Sequence, residues 1–277
     1  MKTSIKQLIV GCAMLCAGAA QAADITVPTD DSTDFRGAYL TGTTTWRFSD
    51  HLSNGLLQVP SPAGATVGVH GGAWQEQEVH PALDEFGEPT EYSIHVIHSE
   101  ATTLTIDDVS GEVKAVASKG GTTWAFGKSY LVKAAGGRAE IGELDVRFQA
   151  DGSVDVHGVI NGQALGGASG VSYAGLLFTV QASDVEGSLS FANGPSSFQQ
   201  VTLHRLALSG AGLDALVQSF GLAPSGLMYT ALTFVQPDFG SLQVDVRAVV
   251  PVPEPSALAL MGVGLVGLFV LRRHRSA

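Results

Sequence analysis

From residue 24 to residue 250 the chain is a succession of short runs rich in Val, Ile, Thr, Tyr and Phe, separated by Gly, Pro, Asn and Asp. Alternation of apolar and polar residues sends successive side chains to opposite faces of a strand, so runs of this kind bury one face and wet the other. Strands are expected at Phe35 to Phe48, Ala65 to His70, Glu91 to His98, Thr102 to Asp107, Glu112 to Ser118, Ser129 to Ala134, Ala139 to Ala150, Ser153 to Ile160, Tyr173 to Gln181, Ser188 to Phe191, Gln200 to Leu208, Tyr229 to Val235 and Ser241 to Val250. Asp24 to Asp34 is polar and is expected to be a loose leader.

The clearest local pattern is Leu144-Asp145-Val146-Arg147-Phe148, then Asp151-Gly152, then Val154-Asp155-Val156. Asp-Gly supplies the positive-φ pair of a tight two-residue turn, so this segment is expected to be a hairpin with one buried face. One helical pattern stands out: Leu213, Leu216, Val217 and Phe220 recur at helical spacing, Gly221 is placed to end the element, and Pro224 follows. With one short helix and no strand-helix-strand alternation, the expected class is all-β, a single β-sandwich or jelly-roll-like exported domain. A C-terminal transmembrane helix is expected beyond it.

Both ends of the chain depart from this pattern. Lys2 and Lys6, an apolar run from Leu8 to Ala20, and Ala20-Gln21-Ala22 have the order of a secretory signal cut after Ala22. Cys12 and Cys16 lie inside that signal, so the mature chain would have no disulfide and no cysteine nucleophile. At the other end, Pro251, Pro253 and Pro255 favour an extended segment. The uncharged run Ala257 to Leu271 follows, then Arg272, Arg273 and Arg275. As a helix that run would rise roughly 22 Å against a hydrocarbon core of about 30 Å, a short span that arginine snorkelling or bilayer thinning could complete. The arginines would hold the C-terminus in the cytoplasm, with the domain outside.

The order Val252-Pro253-Glu254-Pro255-Ser256, short Gly-interrupted apolar helix, arginine cluster resembles the PEP-CTERM sorting signal, a segment also catalogued as the C-terminal domain of some ice-binding proteins. The resemblance covers about residues 252–277. It implies recognition by a membrane-embedded exosortase, cleavage near the Pro-Glu-Pro, and a protein anchored in the inner membrane facing the periplasm before release or transfer to the cell surface. Exopolysaccharide is a candidate partner on the same grounds, beside the Sec machinery and signal peptidase implied by the N-terminus. The expected organisation is a signal peptide at 1–22, a β-rich exported domain at 23–250 and a sorting signal at 251–277, with its membrane helix at about 257–271.

The chain has 15 basic and 26 acidic residues; setting aside the five basic residues Lys2, Lys6, Arg272, Arg273 and Arg275 leaves 10 against 26, a formal charge of −16. That charge argues against nucleic acid, anionic lipid and acidic polymers as partners, because like charges repel and no counterions are released.

Candidate chemistry is sparse. Val69-His70-Gly71-Gly72-Ala73-Trp74 resembles the His-Gly-Gly oxyanion loop of lipases and esterases, but no G-x-S-x-G accompanies it, and a glycine turn after a strand is the simpler account. His70, His80, His95 and His98 lie among Glu76, Glu78, Asp84, Glu85, Glu88 and Glu91. His95 and His98, three apart on a strand, would point to opposite faces and cannot chelate together, and His80 beside Pro81 suggests an exposed charged loop. Asp107-Asp108 and Asp30-Asp31 lack the ligand spacing of a calcium loop and suggest solvated turns. Trp46, Trp74 and Trp124 could stack on sugars, although core or edge packing is the default for so few tryptophans. Thr41, Thr43 and Thr45 invite comparison with ice-binding threonine arrays, but one run makes no array. No cofactor, metal site or catalytic residue is expected. The sequence points to a non-enzymatic surface or matrix protein, the alternative being an extracellular carbohydrate-binding module or glycan-acting enzyme. That alternative calls for a groove lined by a tryptophan with two or more convergent acids.

Overall fold

The computed structural model describes residues 23–30, 35–57, 65–83, 87, 89–130, 133–167, 169–192 and 198–250. The strands are β1 (Asp24–Pro28), β2 (Tyr39–Phe48), β3 (Ala65–His70), β4 (Trp74–Leu83), β5 (Pro89–Asp107), β6 (Val113–Ser118), β7 (Gly121–Phe126), β8 (Gly137–Phe148), β9 (Val154–Ala164), β10 (Val171–Val180), β11 (Val185–Gly187), β12 (Phe198–Leu203), β13 (Ala207–Leu208) and β14 (Gly240–Val249). Two α-helices, α1 (Gly210–Ser219) and α2 (Leu227–Val235), lie between β13 and β14, and a helical turn, His51–Leu57, follows β2.

The all-β expectation holds, but the strands join one continuous antiparallel sheet rather than two separate layers. The main path runs β11-β12-β14-β2-β5-β6-β8-β9-β10-β13, and β5 is its pivot. This 19-residue strand pairs with β2 and β4 through its first half, then with β1 and β6 through its second. Two register irregularities lie in its pairing with β6, at Ala101/Thr103 and Thr105/Ile106. Bulges of this kind bend a strand and increase its local twist. On the far side β8 has a similar irregularity between Gly142 and Asp145 where it passes from β7 to β6, and Glu143 there takes a left-handed φ of 52°.

The two halves of the curled sheet meet through aromatic side chains. Trp46 and Phe48 of β2 pack against Trp124 of β7, at ring separations of 6.5 and 5.6 Å. Trp46 lies 5.3 Å from Phe178 of β10, and Phe239 closes the cluster against Trp124 and Phe178. All five rings are buried, and each buried large apolar side chain stabilises the fold by roughly 1.5–3 kcal/mol before entropy is subtracted. Trp46 and Trp124 are therefore core residues.

Several local expectations are met and others are corrected. β8 and β9 form the predicted hairpin, with Val146 facing Val156 and Phe148 facing Val154. Its turn is wider than two residues: Gly152 donates its N–H to Gln149 O, and only Gly152 has positive φ. α1 begins where Ser209 caps it by accepting from the Gly212 N–H at 3.0 Å, and ends at Gly221 with φ 55°. The first part of the supposed leader, Asp24–Pro28, is β1, paired along its length with β5, and residues 31–34 lie outside the described residues. Tyr229 to Val235 is helical, because Met228, Leu232 and Val235 recur at helical spacing and are the residues that become buried. Ser129 and Ala134 are joined by an isolated bridge rather than lying in a strand ladder, and Ser190 is an isolated bridge to Glu112. Among the described residues no helix is long and apolar enough to cross a membrane. The expected membrane helix lies outside them.

Candidate functional site

The register of β12, β14, β2, β5 and β4 determines which side chains share the outward face of this half of the sheet. One row across it contains Trp74, His98, Thr45 and Gln243, since Trp74 pairs with His98, His98 with Thr45, and Thr45 with Gln243. The row on one side contains Glu76, Val96, Arg47 and Ser241; the row on the other contains Glu100, Thr43, Asp245 and Gln200. His80, Glu76 and Glu78 thus lie on an ordered strand, which corrects the charged-loop expectation for this segment. β4 forms because each of its residues finds a ladder partner on β5, from Trp74 opposite His98 to Leu83 opposite Pro89.

His95 and His98 point to opposite faces, as their spacing predicts. His95 turns inward, 5.9 Å from the ring of Phe48 and 2.8 Å from Gln75 Nε2. Burial holds its pKa below the ordinary 6.5. His98 turns outward beneath Trp74, with ring centroids 3.7 Å apart and planes 11° from parallel. Thr45 Oγ1 and His98 Nδ1 share a hydrogen bond of 3.0 Å. His98 Nε2 is 3.4 Å from Glu76 Oε1 but not aligned for a hydrogen bond, and this buried nitrogen has no other partner among the described residues.

Beside this stack is a second cluster. Arg47 Nε donates to Glu78 Oε2 at 2.9 Å, and His80 Nε2 is within 3.3 Å of the same oxygen and 3.4 Å of Arg47 Nη2. That nitrogen can accept from Arg47 or, when it carries a proton, donate to Glu78. Burial raises the Glu78 carboxyl, but its bonds with Arg47 and His80 outweigh the burial and hold its pKa below the ordinary 4.5. Register sets Arg47 beside Val96 and Glu78 beside Ile94. Val96 and Ile94 are buried yet lie outside the main core cluster, consistent with a cover of polar side chains.

The other singled-out residues have structural roles. Gly71 and Gly72, with φ of 65° and 89°, make the turn from β3 to β4, and Ala73 N bonds His70 O. An added Cβ on Gly71 would run into Gly120, so glycine is required there for close approach of two turns. Asp107 Oδ1 accepts from the Val109 and Ser110 backbone N–H groups, an Asx turn. Thr41, Thr43 and Thr45 do form one outward row, but the neighbouring β14 presents Gln243, Asp245 and Arg247. Among the described residues no group of three or more His, Cys, Asp or Glu side chains is arranged to hold a metal ion.

β14 is an interior strand, and the chain leaves it at the exposed Val249 and Val250. Val252, Pro253, Glu254, Pro255, Arg272, Arg273 and Arg275 lie beyond the described residues, as do Ala20 and Ala22 at the other end. Residues 251–275 match the family model of the PEP-CTERM protein-sorting motif. The motif implies an exported protein addressed to an exosortase, at the cell surface or secreted. No curated protein and no solved structure matches the chain. Sequence reasoning found the sorting tail from its motif. It missed the assembly of Trp74, His98, Thr45, Glu76, Arg47, Glu78 and His80, whose only sequence signal was the even spacing of Trp74, Glu76, Glu78 and His80.

Proposed function

We propose that residues 23–250 are the cargo of this address: a non-enzymatic surface or matrix protein, associated with exopolysaccharide. The observation that carries the proposal is the sorting motif at 251–275. On this account a Sec signal is removed by signal peptidase after Ala22. The apolar run to Leu271 then halts in the inner membrane, with Arg272, Arg273 and Arg275 on its cytoplasmic side and the domain in the periplasm. Val252-Pro253-Glu254-Pro255 is presented to the exosortase.

The sheet's outer face favours binding over hydrolysis. A glycosidase sets two carboxyl groups about 5–5.5 or 6.5–9.5 Å apart across the sugar, one of them protonated. Glu76 and Glu78 instead stand side by side on one face of one strand, and Glu78 is held ionised by Arg47.

The test is the intact mass and cell fraction of the native protein and of the Glu254→Ala variant. The expected result is a wild-type protein outside the cell that lacks the residues after the Pro-Glu-Pro region, and a variant retained in the inner membrane. Full-length tail on both forms, both in the membrane, would overturn processing and leave a periplasm-facing domain on a permanent anchor.

A further inference from the structure

We infer that the outward face of β4, β5, β2, β14 and β12 binds an uncharged polysaccharide, with the Trp74 ring as its stacking platform. This deepens the matrix assignment above and rests on it for the setting in which such a polymer is met. Trp74 is the first residue of β4. It is 55 % exposed, yet its ring is fixed rather than free, because it lies parallel on His98 and His98 is tied to Thr45. A large flat apolar ring held at a surface is a preorganised surface for another flat apolar face.

What surrounds the ring selects the partner. A protein partner would require an apolar patch that can be wholly desolvated, with charged residues depleted at its centre. On the same face, from β4 itself across to β14 three strands away, stand Glu76, Glu100, Thr45, Thr43 and Asp245 instead. Pyranose rings have the complementary chemistry: an apolar C–H face for the indole and a rim of hydroxyl groups that donate to carboxylates and exchange hydrogen bonds with threonine.

The face is also long enough for a chain. Four strand intervals separate β4 from β12, about 19 Å at the usual spacing of neighbouring strands. Next to the Trp74 row is a groove of about 760 Å³ whose lining includes Thr41, Thr43, Glu100, Asp245, Arg247 and Phe198. Phe198, 55 % exposed and 5.6 Å from the Arg247 guanidinium, provides a second aromatic surface at the far strand. An extended polymer lying obliquely across the sheet would therefore touch an aromatic ring at each end and hydroxyl, amide and carboxylate groups between them.

Charge narrows the class. Glu100 and Asp245 already have partners in Lys119 and the Gln200 and Gln243 amides, and the Arg247 guanidinium in the groove lies against the Phe198 ring. Residues 23–250 carry 10 basic and 25 acidic residues, a formal charge of −15, so an acidic polymer is repelled and a neutral one is not.

The experiment uses the full chain, purified in a detergent without a sugar headgroup, and three neutral polysaccharides: hydroxyethylcellulose, dextran and a galactomannan. Alginate is the acidic comparison. Two readouts are taken, retardation in gels containing each polymer and protection of tryptophan emission from acrylamide. At least one neutral polymer is expected to retard the protein and protect Trp74. Trp74→Ala should weaken retardation at least tenfold, Trp74→Tyr should retain most of it, and near-UV circular dichroism from Trp46 and Trp124 should report an intact fold in both. No retardation by any neutral polymer, equal retardation of Trp74→Ala, or preference for alginate would each overturn the inference. Failure here leaves the Glu254→Ala result untouched, and failure of tail processing leaves polysaccharide retardation untouched, so the two proposals fail separately.

Discussion

Trp74 and His98 face one another across the β4–β5 ladder with ring planes 11° apart and centroids separated by 3.7 Å. The pair is directly cross-strand, so the stack follows from register and needs no loop to hold it. Trp46 and Trp124 are 3 % and 0 % exposed, which makes Trp74 the tryptophan open to a neutral quencher. Acrylamide should therefore quench a distinct fraction of native emission. Trp74→Phe should remove that fraction while changing stability by less than about 0.5 kcal/mol, the usual size for surface substitutions. Unchanged quenching in the variant would mean that Trp74 is covered in solution.

The Arg47–Glu78 pair should be coupled weakly but measurably. Both side chains are more than a third exposed, so solvent screening limits the pair to about 0.5–1 kcal/mol in a double-mutant cycle. Added salt should reduce that coupling. Arg47→Ala should nevertheless cost more than Glu78→Gln, because the Arg47 stem lies beside the buried Val96. Equal single-mutant costs in urea melts would show that the stem contributes no cover.

The legible parts of this chain are those where a local rule agrees with the tertiary outcome. The β8–β9 hairpin was visible because Val146 and Phe148 alternate with Asp145 and Arg147, and one face of the pair is buried. α1 was visible because Ser209, Leu213, Leu216 and Gly221 agree on cap, stripe and end. α2 was not, since Tyr229, Thr230, Thr233, Phe234 and Val235 favour strands by residue type, and packing of Met228, Leu232 and Val235 overrides that preference. β4 was hidden by its own polarity: an edge strand with Glu76, Glu78 and Pro81 has no buried run to betray it, and only pairing with β5 makes it a strand. The outer-face site was illegible for a related reason. Its members come from strands far apart in sequence, so Thr45, Trp74 and His98 meet only through register.

Packing of α1 on the sheet depends on a residue with no side chain. Gly162 of β9 faces Ser219 at the end of α1, and an added Cβ would run into both Oγ and Cβ of Ser219. Ser219 is fully buried and donates its hydroxyl to Ala215 O at 2.7 Å, so it cannot swing away without leaving a buried hydroxyl unpaired. Gly162→Ala should therefore destabilise by about 1–3 kcal/mol, the range for overpacked sites. Gly162→Ala combined with Ser219→Ala should recover part of the loss in a urea titration. A neutral Gly162→Ala would mean that α1 can shift freely on β9.

Acid should weaken the fold partly through His95. Gln75 Nε2 lies 2.8 Å from His95 Nδ1, and an amide N–H can only donate, so Nδ1 must keep its lone pair and the ring must stay neutral for that bond. Burial against Phe48 acts in the same direction and lowers the folded pKa below 6.5. As pH falls through 6.5, the unfolded chain takes up the proton first. Stability attributable to His95 is then lost progressively from that point down to the folded pKa and changes no further below it. The slope in that window cannot exceed about 1.4 kcal/mol per pH unit for a single proton. His95→Gln removes the titration while keeping a polar side chain toward Gln75. Urea midpoints measured at several pH values between 7.5 and 5 should accordingly fall less steeply for His95→Gln than for the wild type, and parallel curves would show that His95 is protonated equally well in the folded and unfolded chain.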